Sequence, residues 1–97
     1  MSLPIVFRRV ARIEMDEAIA WYEYQGAGLG LQFTVEIDTY LRRIAESPKQ
    51  FPETRGQIRR AVLRRFPYTI HFLDEANRIV VLAVFHVKRD PRVLEGR

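Results

Sequence analysis

No cysteine occurs anywhere in the chain, which excludes a disulfide framework and any thiolate metal or redox site and suits a reducing compartment. Histidine is nearly as scarce. His71 and His86 are the only two, and neither belongs to a His-Glu-x-x-His or comparable ligand string, so no metal centre is expected. No apolar run approaches the roughly 18 residues of a membrane span, and the first ten residues, with Pro4 and two arginines, lack the apolar core of a signal peptide. A cytoplasmic protein without membrane attachment is the expectation. Repeats and low-complexity segments are missing as well.

What is present is an ordinary globular composition, 47% hydrophobic and 29% charged over 97 residues. That describes one domain, residues 1–97, with room for a single core. The net charge of +4 is unevenly distributed: residues 1–57 hold 7 Lys/Arg against 8 Asp/Glu, and residues 58–97 hold 9 against 4. The basic half suits an acidic or nucleic-acid partner, or a solvated cationic face.

The longest apolar run, Ile79 to Phe85, has no polar residue in it. A strand of that kind is covered on both faces, as the centre of a sheet is. Before it, Tyr68, Ile70 and Phe72 alternate with Thr69 and His71, which predicts a half-buried partner strand whose Thr69 and His71 face solvent. The polar connection Leu73–Arg78 predicts a hairpin. Ile58–Phe66 reads as a third strand, with Arg59-Arg60 and Arg64-Arg65 flanking three apolar residues. Such doublets put charge on both faces unless a bulge intervenes, so periodicity leaves its inward side open. Lys49–Gln57 shows no period and reads as a loop.

In the first half, Pro4–Arg8 suits a short edge strand. From Arg9 the period changes. Ala11, Met15, Ala18, Ile19 and Tyr22 share one face of a helix of about four turns. Val10, Ile13, Trp21 and Tyr24 widen its apolar arc beyond a single seam, so the helix has surface for something besides its own core; Trp21 suits core or helix-hairpin packing first, and a partner surface second. The glycines of Gly26-Ala27-Gly28-Leu29-Gly30 break this helix. They lack the Gly-x-x-x-x-Gly-Lys-Ser/Thr pattern and follow a helix, so they are no phosphate loop. Phe33, Ile37, Tyr40, Leu41 and Ile44 form the stripe of a second helix that Ser47-Pro48 ends. The acidic pairs Asp16-Glu17 and Glu36-Asp38 read as solvated outer faces. Beyond Phe85 the stretch His86–Arg92 looks basic and mobile, with Leu94 and Glu95 too few to define a helix. The fold class is α+β: an N-terminal strand, an α-helical hairpin, then a three-stranded antiparallel meander.

The order of these elements and several local strings resemble the ParE branch of the ParE/RelE toxin superfamily of bacterial type II toxin–antitoxin modules. The matching pieces are Asp16 to Glu23, Gly28-Leu29-Gly30 with Phe33 and Ile44, Ser47-Pro48 with Phe51-Pro52, Ile58 to Ala61, Arg64 to Tyr68, and Val81 to His86. The resemblance implies a RelE/ParE-like toxin fold, no cofactor and no metal. It implies a toxin that inhibits growth by binding DNA gyrase without chemistry of its own, as in plasmid stabilisation. It also implies neutralisation by a ParD-like antitoxin in an even-numbered hetero-oligomer, without sequence-specific DNA binding by this chain. Trp21, Tyr24, Arg59, Arg60, Arg64 and Arg65 are the expected antitoxin contacts, and His86, Lys88, Arg89 and Arg92 the expected target contacts. The alternative, a RelE-like ribosome-dependent messenger-RNA endonuclease, would use His86 and Arg89 as catalytic residues. Against it, Thr69 stands where that branch has an arginine, Glu95 where it has a tyrosine, and Val87 where some relatives complete a His-Tyr pair. A non-toxic basic nucleic-acid binder is the remaining alternative, and no aromatic-plus-arginine single-strand motif supports it.

Overall fold

The uninterrupted apolar run lies inside the sheet, between strands on either side. A computed structural model describes residues 2–97. The chain runs through β1 (Ile5–Phe7), α1 (Arg9–Gln25), α2 (Leu29–Glu46), a 3₁₀ turn (Pro48–Gln50), β2 (Glu53–Arg55), β3 (Ile58–Val62), β4 (Tyr68–Glu75), β5 (Arg78–His86) and a 3₁₀ segment (Pro91–Gly96). The strands form one sheet in the order β1-β5-β4-β3-β2. β1 is parallel to β5 and the other neighbours are antiparallel.

β5 tolerates no polar residue because both of its faces are covered, and a bulge shifts which residues each face receives. His71 stands opposite Ala83 but Phe72 stands opposite Val81, so Leu82 is the extra residue and the alternation changes phase there. Ile79, Val81 and Val84 pack into the core on the helix side. Val80, Leu82, Ala83 and Phe85 form a second cluster with Leu94. All seven are at most 5% exposed.

The expected helical face is the one that packs: Ala11, Met15, Ala18, Ile19 and Tyr22 of α1 meet Phe33, Ile37, Leu41 and Ile44 of α2 over the sheet. Tyr22, Phe33, Phe66 and Tyr68 form an aromatic knot with ring centroids 4.9–5.9 Å apart, mostly edge-to-face as ring quadrupoles favour. The hairpin turn needs glycine twice. Gly28 has φ 87°, in the left-handed region, and a Cβ on Gly30 would lie 2.9 Å from the Ile19 carbonyl oxygen, so the helices approach here through a missing side chain. The Glu23 carboxylate accepts the Gly28 and Gly30 N–H groups at 3.0–3.2 Å, supplying the start of α2 with acceptors that no Ncap side chain provides.

Four expectations are corrected. The loop expected at Lys49–Gln57 contains the edge strand β2, whose three exposed residues are too few to show a period. The strand expected to run to Phe66 ends at Val62, leaving Arg64 and Arg65 in the turn. Thr69 and His71 do not face solvent; they are 4% and 5% exposed. The reason is the fourth correction. The tail expected to be mobile folds into Pro91–Gly96 and lays Leu94 on the second face of the sheet.

Burial, reinforced by the neighbouring Arg60 guanidinium, pushes the His71 imidazole down from 6.5 to about 4. Between those values the unfolded chain binds a proton that the folded chain refuses, so stability is complete above the unfolded value and falls as pH drops. Urea unfolding is expected to show a loss of about 2 kcal/mol between pH 7 and pH 5. His71→Leu, which keeps the site apolar, is expected to flatten that part of the profile; an equal slope in the variant would assign the loss elsewhere.

Candidate functional site

β1 is three residues long and covers β5 only at Ile79–Val81, so from Leu82 to His86 that edge of β5 has no strand beside it. Unpaired backbone groups under a helix need partners. Two side chains of opposite charge supply them. Glu14, on the sheet-facing arc of α1, accepts the Val84 N–H at 3.1 Å, and Arg97 donates to the Leu82 carbonyl at 3.2 Å. The two are joined by a bidentate pair, both N···O distances 2.8 Å, and Arg89 adds a third charged donor to Glu14 at 2.8 Å. The Glu14 and Arg97 side chains are 10% and 11% exposed. Arg89 and Arg97 also lie over the Phe85 ring, at 5.2 and 5.9 Å.

Above this charged floor a cleft of about 310 Å³ opens between α1 and the free edge of β5. Its walls are Glu17, Ala18 and Trp21 on one side and Tyr68, Val84, Phe85, His86 and Arg89 on the other. A second hollow of about 450 Å³ continues past Trp21 to Tyr22, Pro67, Tyr68 and His86, so the indole forms a rib between them. Trp21 is 55% exposed and Tyr24, one turn further along the helix, 88%. His86 packs against Tyr68 with centroids 5.6 Å apart, and its Nδ1 accepts the Lys88 N–H at 3.1 Å, which leaves Nε2 to carry the proton in the neutral ring. Burial raises the Tyr68 hydroxyl above its ordinary value, and burial followed by the nearby Tyr68 does the same to Tyr22.

The structure therefore brings together Trp21, His86 and Arg89, which the sequence reading placed in two separate groups. The other candidates lie apart. Arg59 turns inward, donating to the Phe51 carbonyl at 2.7 Å and approaching Glu53 at 3.3 Å and Asp74 at 3.8 Å. Arg60 lies on the face opposite the helices, beside His71. Arg64 and Arg65 border α2, where the Arg65 N–H is held by Glu36 at 2.8 Å and its guanidinium by Gln32 at 3.2 Å; Glu36 is thus a structural anchor as well as a solvated residue. Lys88 is exposed in the turn after β5. Arg92 is locked on Asp90 at 2.6–2.9 Å and holds that carboxyl below its ordinary range.

Chemically, the cleft offers aromatic walls, a strand edge and a few polar groups, which suits an extended or helical protein segment. The nuclease alternative assigns the phosphate to Arg89, and the Arg89 charge is engaged by Glu14. Glu95, where the nuclease branch has its tyrosine, is ion-paired with Arg55 at 2.7 Å. Among the described residues no group of His, Asp or Glu is arranged to hold a metal ion, and no helix is long and apolar enough to cross a membrane. Glu14 was the residue that sequence reasoning passed over. Its signal was available, since a carboxylate three residues after Ala11 and four before Ala18 falls on the buried arc of the helix.

Comparison with known proteins places this geometry. The model of a family described as the ParE toxin of the type II toxin–antitoxin system parDE matches residues 5–91. A solved structure, a chromosomal ParDE toxin–antitoxin system from P. aeruginosa, superposes with a TM-score of 0.75 at 18% identity, covering 88% of this chain and 96% of that one. At that identity the likeness concerns the fold. No curated protein sequence matches significantly.

The Glu14–Arg97 pair carries a test. Removing one partner of a buried pair strands the other charge. Glu14→Gln is expected to destabilise the chain by about 3 kcal/mol in urea unfolding, and the double variant with Arg97→Gln to lose clearly less than the sum of the two single changes. Additive losses would show that the two groups act separately.

Proposed function

The chain belongs to the ParE toxin family of type II toxin–antitoxin systems, and on that premise we propose that it arrests growth by binding DNA gyrase, without covalent chemistry of its own. We further infer that a ParD-like antitoxin silences it in a cytoplasmic hetero-oligomer. The observation that carries the second step is the cleft between α1 and the open edge of β5, with Trp21 standing more than half exposed between two hollows. An exposed indole standing between two hollows is the kind of anchor that concentrates binding energy at protein interfaces. An antitoxin segment lying there would bury Trp21, pair with the polar groups Glu17 and His86, and pass Tyr24.

The target face follows from position. His86 forms part of the cleft wall, and exposed Lys88 follows two residues later. Arg89 and Arg92 complete the cationic segment, each already bound to a carboxylate. A partner seated in the cleft stands next to this segment, so neutralisation works by masking. The arginines Arg60, Arg64 and Arg65 lie on other surfaces, and only an extended antitoxin chain would reach them as well as Trp21.

Two measurements test the proposal. Purified chain added to a gyrase supercoiling assay is expected to inhibit it and the cognate antitoxin to restore it; unaffected supercoiling at toxin excess removes gyrase as the target. Trp21→Ala is expected to weaken antitoxin binding by about 2 kcal/mol, some 30-fold in Kd, in calorimetry. Leu31→Ala, on the exposed side of α2, is expected to leave it unchanged. Equal affinities for the wild type and Trp21→Ala would move the antitoxin off the cleft.

A further inference from the structure

The face of the sheet turned away from the helices carries a second, smaller cleft, of which the toxin reading uses only Arg60, as an outlying antitoxin contact. It lies between β2 and the segment Pro91–Gly96, encloses about 150 Å³, and is lined by Thr54, Arg55, Arg60, His71, Pro91 and Leu94. Two of these are cross-strand partners, since Arg60 of β3 stands directly opposite His71 of β4. Such pairs hold their Cβ atoms about 5 Å apart on one face.

Neither group has its chemistry answered by the protein. Arg60 forms no ion pair among the described residues. His71 is 5% exposed, and its Nδ1 is sealed off with no hydrogen-bond partner. Buried polar atoms are almost always paired, and an exception needs a reason. An unpaired buried N–H is disfavoured more than an unpaired lone pair, so the proton sits on Nε2 and the ring's free nitrogen is a donor. The remaining charges nearby are matched: Arg55 by Glu95 at 2.7 Å, Arg92 by Asp90 at 2.6 Å, Arg97 by Glu14 at 2.8 Å. The unmatched charge in the cleft is the Arg60 guanidinium.

We propose that this cleft binds one phosphate-sized oxyanion, held by the Arg60 guanidinium and the His71 imidazole, with Arg55 and Thr54 at its rim. A guanidinium fork matches two oxygens of a phosphate, and the neighbouring imidazole supplies a donor from the adjacent strand. The volume corresponds to about five water molecules, room for a tetrahedral oxyanion inside the cleft, with the rest of a larger ligand left at its open mouth. Any larger ligand therefore enters with its phosphate alone. Glu95 acts as an internal competitor, because its carboxylate holds the Arg55 guanidinium that would otherwise add to the site.

The test is a titration of the purified chain with inorganic phosphate against chloride at constant ionic strength, followed by NMR at the His71 imidazole and the Arg60 amide. Saturable shifts at both positions are expected. Arg60→Gln is expected to weaken binding about tenfold, the loss of one charge-assisted contact, Glu95→Gln to tighten it severalfold, and Arg42→Gln, on the distant α2, to leave it unchanged. A phosphate monoester and a dinucleoside monophosphate are titrated in parallel. Preference for the monoester identifies a small phosphorylated ligand, and preference for the diester identifies a nucleic-acid strand; both require the site. Shifts that rise without saturating, or that Arg60→Gln leaves as they were, overturn it.

Discussion

One carboxylate settles how this small sheet ends. β5 is buried on both faces, yet beyond Val81 it has no strand along one edge, and a bare edge under a helix would leave backbone groups without partners. Glu14 meets the Val84 N–H and Arg97 meets the Leu82 carbonyl, while each neutralises the other. Because the bulge at Leu82 turns these two backbone groups outward together, a single ion pair closes what would otherwise need another strand. The edge therefore stops at Phe7, the cleft above it stays open, and the segment carrying Leu94 is anchored to the far face. The shape of the cleft and the covering of the second sheet face depend on the same contact.

Much of this was legible from residue order, and the failures have identifiable physical causes. The helices were visible because their apolar residues recur at helical spacing; the arc of α1 is wider than its core needs, yet Trp21, which composition and spacing favoured as core or hairpin packing, stands 55% exposed. β5 was legible as a central strand for the same reason that its bulge was not: a run that is apolar at every position carries no phase, so a slip at Leu82 leaves no trace in it. For β4 the alternation sorted the residues onto the right faces, but equating the polar face with solvent failed, since Leu94, a lone buried apolar residue in a charged tail, was enough to help cover His71. β2 has three residues, all exposed, which no periodicity can register.

The charge asymmetry also means something different in three dimensions. The strand half holds nine basic residues, which on paper suggests a cationic field. Arg59, Arg78, Arg89, Arg92 and Arg97 are each engaged by carboxylates, leaving few cations to project a field outward. A nucleic-acid surface draws its affinity from many phosphate contacts along a continuous patch. Here the cations that no carboxylate engages are dispersed: Arg60 on the far face, Arg64 and Arg65 beside α2, Lys88 at the end of β5. That distribution favours discrete recognition of one group at a time over general backbone binding.

The exposed aromatics argue in the same direction. An indole 55% exposed and a phenol 88% exposed on one helix, beside a stretch of β5 that no further strand covers, form a surface that invites unwanted association in a free chain. Such a surface is tolerable where a partner is present whenever the chain is. On the proposed reading, the segment assigned to the target begins at His86, inside the same cleft, with the Lys88 N–H bonded to the imidazole. Covering the cleft then hinders access to the cations beside it by proximity alone, and neutralisation needs no conformational change in a core whose central strand is closed on both faces.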